Sequence, residues 1–193
     1  NRKDISKLNA FLSKTRQISN FDYSGKASPK VEALIGNVQK ETERAPALIY
    51  SNYLDYGAGP ISEELSNRGI TNGVFTGEMK KKKKREMIEN YNRGNLRTLI
   101  ISSAGAEGLD LKGTGSVHIL EPHWNNPKLE QVKSRAARYM SHSHLPEKER
   151  YVNVYNYLST RPKNVINRMF PFVKPRPTTD EYLRDLSLRK AKL

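Results

Sequence analysis

The chain alternates between short apolar runs and longer stretches in which apolar side chains recur every three or four positions. Continuous apolar runs are typical of strands covered on both faces of a sheet, because such strands have no solvent-facing side. Four such runs and one alternating segment predict five strands, at residues 47–50, 74–76, 98–102, 117–120 and 151–155. Strands that alternate with helical stretches favour an α/β fold with a parallel sheet.

The longer stretches predict the helices that connect these strands. Ser28 is a suitable N-cap and Pro29 a suitable first helical residue, and apolar residues at helical spacing continue to about Glu43. The same periodicity predicts four further helices, at residues 60–68, 78–93, 127–139 and 179–190. In a parallel sheet the loops that follow the strands gather at one edge, where the ligands of such folds bind.

The chain is expected to have three parts. Residues 1–27 are polar and are predicted to be an irregular or helical lead-in. Residues 28–160 hold all the predicted strands and are expected to form the α/β domain. Residues 161–193 carry Pro162, Pro171, Pro175 and Pro177, and predict an extended connector that ends in a helix.

The composition excludes several kinds of protein and favours a polyanionic partner. The 193 residues include no cysteine, which excludes a disulfide framework and any zinc site with thiolate ligands. No run approaches the roughly 20 apolar residues of a membrane span, and the four histidines are too few and too badly spaced for a metal site. The net charge of +14 favours nucleic acid, with an anionic membrane surface as the weaker alternative.

The sequence lacks the elements that bind and hydrolyse ATP by the usual route. No G-x-x-x-x-G-K-[ST] phosphate loop is present. The pair Asp180-Glu181 follows two threonines rather than an apolar strand, so it is a poor candidate for a magnesium-binding motif. The chain also begins without Met and without an apolar targeting segment, so we expect it to be an excised piece that does not turn over ATP alone.

Residues 131–138, with the sequence Q-V-K-S-R-A-A-R, are the most informative stretch. On a helix, Gln131, Arg135 and Arg138 fall within ~60° of one another. Arginine suits phosphate because its planar fork donates two parallel hydrogen bonds and never loses its charge. From this spacing, a phosphate-binding face and a solvated basic face both remain open.

Residues 102–110 follow a predicted strand directly and are rich in glycine and other small residues. Small side chains let the backbone approach another backbone, such as a nucleic-acid phosphate chain, and Asp110 adds a carboxylate near the same edge. An ordinary tight connection is the alternative. The basic run at 80–85 allows a nucleic-acid contact, a localisation signal or a solvated first helical turn.

Taken in order, these stretches resemble the C-terminal lobe of superfamily 2 helicases. Residues 47–51 resemble motif IV, 101–110 resemble motif V, and 131–138 resemble motif VI, whose general form is Q-x-x-G-R-x-x-R. Ser134 stands where motif VI usually has glycine, and this departure, like the segment 121–125, is similar to the Swi/Snf-like branch. The resemblance implies a RecA-like three-layer sandwich with a mostly parallel central sheet.

A narrower resemblance lies beyond motif VI. Residues 141–146, 149–152, 155–157 and 180–183 resemble helicases of large cytoplasmic DNA viruses, including the poxvirus nucleoside triphosphatase I and early transcription factor ATPase groups. This resemblance implies a location in the host cytoplasm or the virion if the protein is viral, and an intracellular location otherwise.

The resemblance also implies catalytic roles. Arg138 would be the arginine finger that reaches the γ-phosphate of ATP, Arg135 would support it, and Gln131 would orient the phosphate or the attacking water. ATP and Mg²⁺ would be held mainly by an N-terminal RecA-like lobe that precedes this chain. Closure of the two lobes would then couple hydrolysis to a change of grip on the strand.

Two further sets of residues are implied by the resemblance. The residues that would sense the nucleotide across the cleft are Gly108 and Asp110. Those that would contact the nucleic-acid backbone, of DNA in preference to RNA, are Ser51, Thr76, Ser102 and Ser103.

Two other interpretations of the chain stay open. One is a basic nucleic-acid-binding module without enzymatic activity, and the other is an unrelated α/β enzyme. A phosphate loop and a D-E-x-H-type strand N-terminal to this segment in the intact protein would separate the helicase interpretation from both.

Overall fold

The computed structural model describes residues 2–102, 109–121, 134, 151–161 and 177–190. Its strands form one five-stranded sheet in which every neighbouring pair is parallel, in the order β2-β3-β1-β4-β5. The strands are β1 (Ala47–Ser51), β2 (Asn72–Phe75), β3 (Thr98–Ser102), β4 (Ser116–Ile119) and β5 (Asn153–Asn156). The predicted parallel sheet is therefore confirmed.

Five α-helices lie in the described part of the chain: α1 (Arg2–Ile18), α2 (Pro29–Thr42), α3 (Gly59–Asn67), α4 (Lys81–Asn92) and α5 (Thr179–Lys190). A π-helical turn, Leu54–Ala58, leads into α3. The predicted start of α2 is confirmed, since Ser28 Oγ accepts a hydrogen bond of 3.3 Å from the backbone N–H of Val31. The helix predicted at 127–139 lies outside the described residues except for Ser134, which is helical.

The core lies on both faces of the sheet, as a three-layer sandwich requires. Side chains of a strand alternate between faces, and in β1 Leu48 and Tyr50 join one cluster while Ala47 and Ile49 join the other. The first cluster is covered by α4 through Tyr91, and the second by α2 and α3. Every residue of β1 is buried, which explains why its sequence is a continuous apolar run.

The predicted strand bounds are least accurate at the two edges of the sheet. β2 begins two residues before its predicted start, and β5 begins two residues after its own. Both are edge strands with partly exposed, polar positions such as Asn72 and Asn153. Continuous apolar character marks only strands covered on both faces, so it does not find the ends of edge strands.

The prediction that α4 starts at residue 78 is wrong. The helix begins at Lys81, because the backbone of Lys80 is extended, with φ −59° and ψ 142°. The Lys84 amine reaches back to donate a 2.7 Å hydrogen bond to the Gly77 carbonyl, and it lies 5.5 Å from the Phe75 ring centroid. These contacts hold the turn before the helix and occupy one of the six basic residues of the 80–85 run.

α1 and α5 are joined to the sheet domain by buried polar contacts. Asp180, at the start of α5, has a side chain only 1% exposed and lies 3.0 Å from the amine of Lys30 on α2. The same carboxylate accepts a 2.9 Å hydrogen bond from the backbone N–H of Ser159, which follows β5. Thr15 of α1 and Thr179 of α5 place their hydroxyls 3.1 Å apart. The division of the chain at residues 28 and 160 stays a prediction.

None of the helices in the described part of the chain has the length and apolar character needed to cross a bilayer.

Candidate functional site

The carboxyl edge of the sheet gathers three of the predicted nucleic-acid-binding residues. Ser51 ends β1 and pairs in register with Ser102, which ends β3. Thr76 directly follows β2, whose last residue pairs with Ile101 of β3. Because β2, β3 and β1 are adjacent and parallel, these three residues lie side by side at one edge, which is where α/β folds bind their ligands.

A buried carboxylate organises this edge. Glu121 follows β4 and is 0% exposed. Its Oε1 accepts hydrogen bonds from Asn20 Nδ2 at 2.6 Å and from Ser51 Oγ at 3.0 Å. Its Oε2 accepts one from the backbone N–H of Asn52 at 2.8 Å. Both oxygens therefore have donors, so one side chain ties together the segment after α1, the end of β1 and the end of β4.

The electrostatics of Glu121 reflect its burial. Desolvation raises the pKa of its carboxyl group above the usual range. The Asn52 N–H, the Lys30 charge and the Asn20 amide act in the opposite direction, because each favours the ionised form. Burial also raises the pKa of the neighbouring Tyr50 to about 12, so its hydroxyl stays protonated and donates a 2.9 Å hydrogen bond to Asn52 Oδ1.

Ser51 belongs to the Glu121 network, which bears on its predicted role in binding nucleic acid. Its side chain is fully buried, and its Oγ accepts a 3.3 Å hydrogen bond from the Tyr53 N–H as well as contacting Glu121. A Cβ at Gly57 would lie 2.1 Å from that oxygen, so only glycine fits there. The nucleic-acid role of Ser51 stays a prediction, and a direct hydroxyl contact would require this loop to open.

Asp110 is not grouped with these residues in the way the sequence predicts. It is exposed, and its backbone carbonyl accepts a 3.0 Å hydrogen bond from the side chain of Asn92, the last residue of α4. The same side chain accepts a 2.8 Å hydrogen bond from the backbone N–H of Lys112. The loop thus runs back along the sheet towards the start of β4. The role of Asp110 in nucleotide sensing stays a prediction.

The other predicted site residues lie outside the described part of the chain: Ser103, Gly108, Gln131, Arg135 and Arg138. Their roles stay predictions.

A second buried polar network lies between β4, β5 and α2. His118 is fully buried, with Nδ1 2.8 Å from the Tyr157 hydroxyl and Nε2 2.9 Å from Ser116 Oγ. Its ring stacks on Tyr155 with centroids 4.8 Å apart, and the Tyr155 hydroxyl donates a 2.6 Å hydrogen bond to Glu41. Burial lowers the pKa of His118 to about 4, so the imidazole is neutral at physiological pH.

Among the residues that the structure describes, no group of three or more His, Cys, Asp or Glu side chains is arranged to hold a metal ion.

Sequence reasoning missed Glu121 as an organising residue. The available signal was an acidic residue placed directly after a continuous apolar strand, where a carboxylate falls at the ligand-binding edge. Its partner Asn20 lies 101 positions earlier in a segment expected to be a lead-in, so no local pattern links the two.

Comparisons with known proteins agree with this architecture. The helicase conserved C-terminal domain family matches residues 29–140. A putative ATP-dependent RNA helicase of Acanthamoeba polyphaga mimivirus is 40% identical over 97% of this chain, which spans 40% of that relative. Nucleoside triphosphatase I of Heliothis armigera entomopoxvirus is 34% identical over 51% of this chain and 16% of its own length. This chain therefore spans less than half the length of either relative.

Among solved structures, the C-terminal part of the Fun30 ATPase domain matches with a TM-score of 0.59 at 18% identity, covering 86% of this chain and 54% of that one. This match confirms the predicted RecA-like fold of a helicase C-terminal lobe. The two relatives confirm the predicted resemblance to helicases and nucleoside triphosphatases of large DNA viruses.

Proposed function

Because the chain belongs to the helicase conserved C-terminal domain family, we propose that it is the second RecA-like lobe of an ATP-dependent nucleic-acid helicase or translocase. The observation that carries the proposal is the parallel sheet whose carboxyl edge brings Ser51, Thr76 and Ser102 together. In this arrangement ATP, with its Mg²⁺, binds mainly to a preceding lobe, and this chain adds groups from across the cleft.

The catalytic contribution falls to the helix proposed around residues 131–138. Arg138 supplies positive charge to the γ-phosphate, Arg135 supports it, and Gln131 orients the phosphate or the attacking water. A guanidinium that enters the site only on lobe closure stabilises charge in the transition state rather than in the open ground state. Gly108 and Asp110 complete the nucleotide-sensing surface in this proposal.

In this proposal the carboxyl edge of the sheet binds the nucleic acid. Thr76 and Ser102 are partly exposed there, and the segment that begins with Ser103 continues from the end of β3. Short hydroxyl side chains and glycine-rich backbone suit a sequence-independent contact with phosphates. The buried Glu121 network holds the β1 loop in place beside them, so the grip is built on a rigid support.

The partner of this edge is proposed to be DNA in preference to RNA, in the host cytoplasm or the virion. The mimivirus relative is called a putative RNA helicase, so the comparison of DNA with RNA belongs in the test. The net charge of +14 favours either polyanion.

The test is ATP hydrolysis by the intact protein, measured alone and with single- and double-stranded DNA and RNA. We expect turnover that nucleic acid stimulates, and no turnover from residues 1–193 alone. An intact protein that binds nucleic acid without hydrolysing ATP would be a binding module and would overturn the proposal. Hydrolysis by residues 1–193 alone would overturn the division of work between two lobes.

A further inference from the structure

A small basic cavity lies at the amino edge of the sheet, opposite the carboxyl edge described above. It has a volume of about 210 Å³. Its walls come from the turn after α2, the end of α4 and the loop before β4. Four of its lining residues carry positive charge, and none of the lining residues in the described part of the chain is acidic: Arg44, Arg93, Arg97 and Lys112.

Two of these arginines are fixed by acceptor groups of the chain. Arg44 Nη2 donates hydrogen bonds to the Gly115 carbonyl at 2.8 Å and to the Glu41 carboxylate at 3.3 Å, and its guanidinium lies 4.4 Å from the Tyr151 ring centroid. Arg97 Nη2 donates to the carbonyl of Thr42, the last residue of α2. These bonds give both guanidinium groups a defined position. The Nη1 atom of Arg44 is buried and has no hydrogen-bond acceptor among the residues described here.

The other two cations are not needed to cap a helix. Lysine and arginine often gather at helix C-termini to interact with the last carbonyls. At the end of α4, however, the Asn90 carbonyl accepts from the Asn95 N–H at 2.9 Å and the Tyr91 carbonyl accepts from the Gly94 N–H at 2.9 Å. Gly94 permits this closure with a φ of +80°.

Arg93 and Lys112 are instead exposed at the rim of the cavity. The Arg93 side chain is 71% exposed, and its one described ion pair is a 3.8 Å surface contact with Glu89, which is a weak interaction in water. Lys112 is exposed and is anchored through its backbone N–H to Asn92. The rim of the cavity therefore carries two exposed cations, and its lining carries two guanidinium groups held by hydrogen bonds.

We propose that this cavity binds a phosphate group, carried by a nucleic-acid strand or by a free oligophosphate. It would be a second anion site, at the amino edge of the sheet. Arginine forks and a lysine amine suit phosphate oxygens. A volume of 210 Å³ lies below the ~300–1,000 Å³ of ordinary small-molecule sites, so one phosphate fits better than a whole nucleotide. The nucleic-acid source rests on the proposed function, whereas the free-oligophosphate source does not.

The test removes the two rim cations while leaving the fixed arginines in place. The double variant Arg93→Gln/Lys112→Gln of the intact protein is compared with wild type, using a fluorescent DNA duplex and a series of salt concentrations. Because each neutralised phosphate adds about one to the slope of log affinity against log salt and the cavity holds one phosphate, we expect the slope to fall by about 1 and affinity to weaken about equally for unrelated sequences.

Two matched variants control for charge. Lys14→Gln/Lys26→Gln removes two exposed lysines that do not line the cavity, and we expect it to change the slope by less than half as much. Arg93→Lys/Lys112→Arg keeps both charges, and we expect it to bind as wild type does.

A second arm uses inorganic pyrophosphate, titrated calorimetrically into wild type and the double variant. Pyrophosphate binding that the double variant loses, with an unchanged DNA slope, would identify free oligophosphate as the source. An unchanged slope together with unchanged pyrophosphate binding would overturn the site. If the wild-type protein does not bind DNA, that result would count against the proposed function, and the pyrophosphate titration alone would then test this site.

Discussion

The two edges of the sheet differ in the burial of their charged side chains. At the carboxyl edge a carboxylate, Glu121, is fully buried and receives hydrogen bonds from three residues on two other segments of the chain. At the amino edge four cations surround an open cavity, where Arg44 is paired with the buried Glu41 at 3.3 Å and Arg93 and Lys112 are exposed. A buried charge that is fully hydrogen-bonded orders loops, whereas exposed charges act on ligands. The difference suggests that the carboxyl edge is built for rigidity and the amino edge for attraction.

The largest expected effect comes from removing the buried carboxylate. Glu121→Ala leaves the Asn52 N–H without its acceptor and leaves the Asn20 amide and the Ser51 hydroxyl with backbone carbonyls as their remaining acceptors. We therefore expect the free energy of unfolding to fall by about 4 kcal/mol. Glu121→Gln keeps the shape but turns an NH₂ group towards one of the donors, so we expect a loss of about 2 kcal/mol. Urea unfolding of residues 1–193 measures both.

The matched control for this change is Glu63→Ala, which removes an exposed carboxylate from α3. We expect it to change stability by no more than about 0.5 kcal/mol. If Glu121→Ala costs no more than this control, the carboxyl edge is not organised by Glu121, and the contrast between the two edges is lost.

A smaller effect concerns His118, which lies on β4 between the two edges. Burial lowers its pKa from 6.5 to about 4, so the folded state binds its proton less readily than the unfolded state does. The resulting stability is fully present above pH 6.5 and is lost as the pH falls from 6.5 to 4. We expect wild type to lose about 3 kcal/mol more than His118→Gln over that range.

Urea unfolding at several pH values between 7 and 4 measures this difference. His142→Gln removes an imidazole elsewhere in the chain and is expected to keep the wild-type pH dependence. Parallel curves for wild type and His118→Gln would show that the imidazole is not held neutral by burial.

Whether the sequence predicts an element of this fold depends on whether the signal for that element lies in the element itself. The runs that form β1, β3 and β4 are buried on both faces, so their composition alone marks them. The start of α2 is marked because Ser28 and Pro29 act locally. The start of α4 is not marked, because the turn before it depends on Lys84 reaching back to Gly77.

The candidate sites are less predictable because they combine distant segments. Ser51, Thr76 and Ser102 could be grouped from the sequence, since each ends or follows a predicted strand. Glu121 and Asn20 could not be paired, because nothing local connects them. The basic cavity was not foreseen either, since its cations come from three separate turns that meet only when the sheet forms.

The central claim is that this chain completes an ATP site held by another lobe, and the most direct test is the Arg138→Ala variant of the intact protein. Turnover and ATP affinity are measured separately, with Arg184→Ala, an exposed arginine of α5, as the matched control. We expect Arg138→Ala to lower kcat about 10³-fold while ATP affinity stays near the wild-type value, and Arg184→Ala to change neither. Near-normal turnover by Arg138→Ala would contradict the claim.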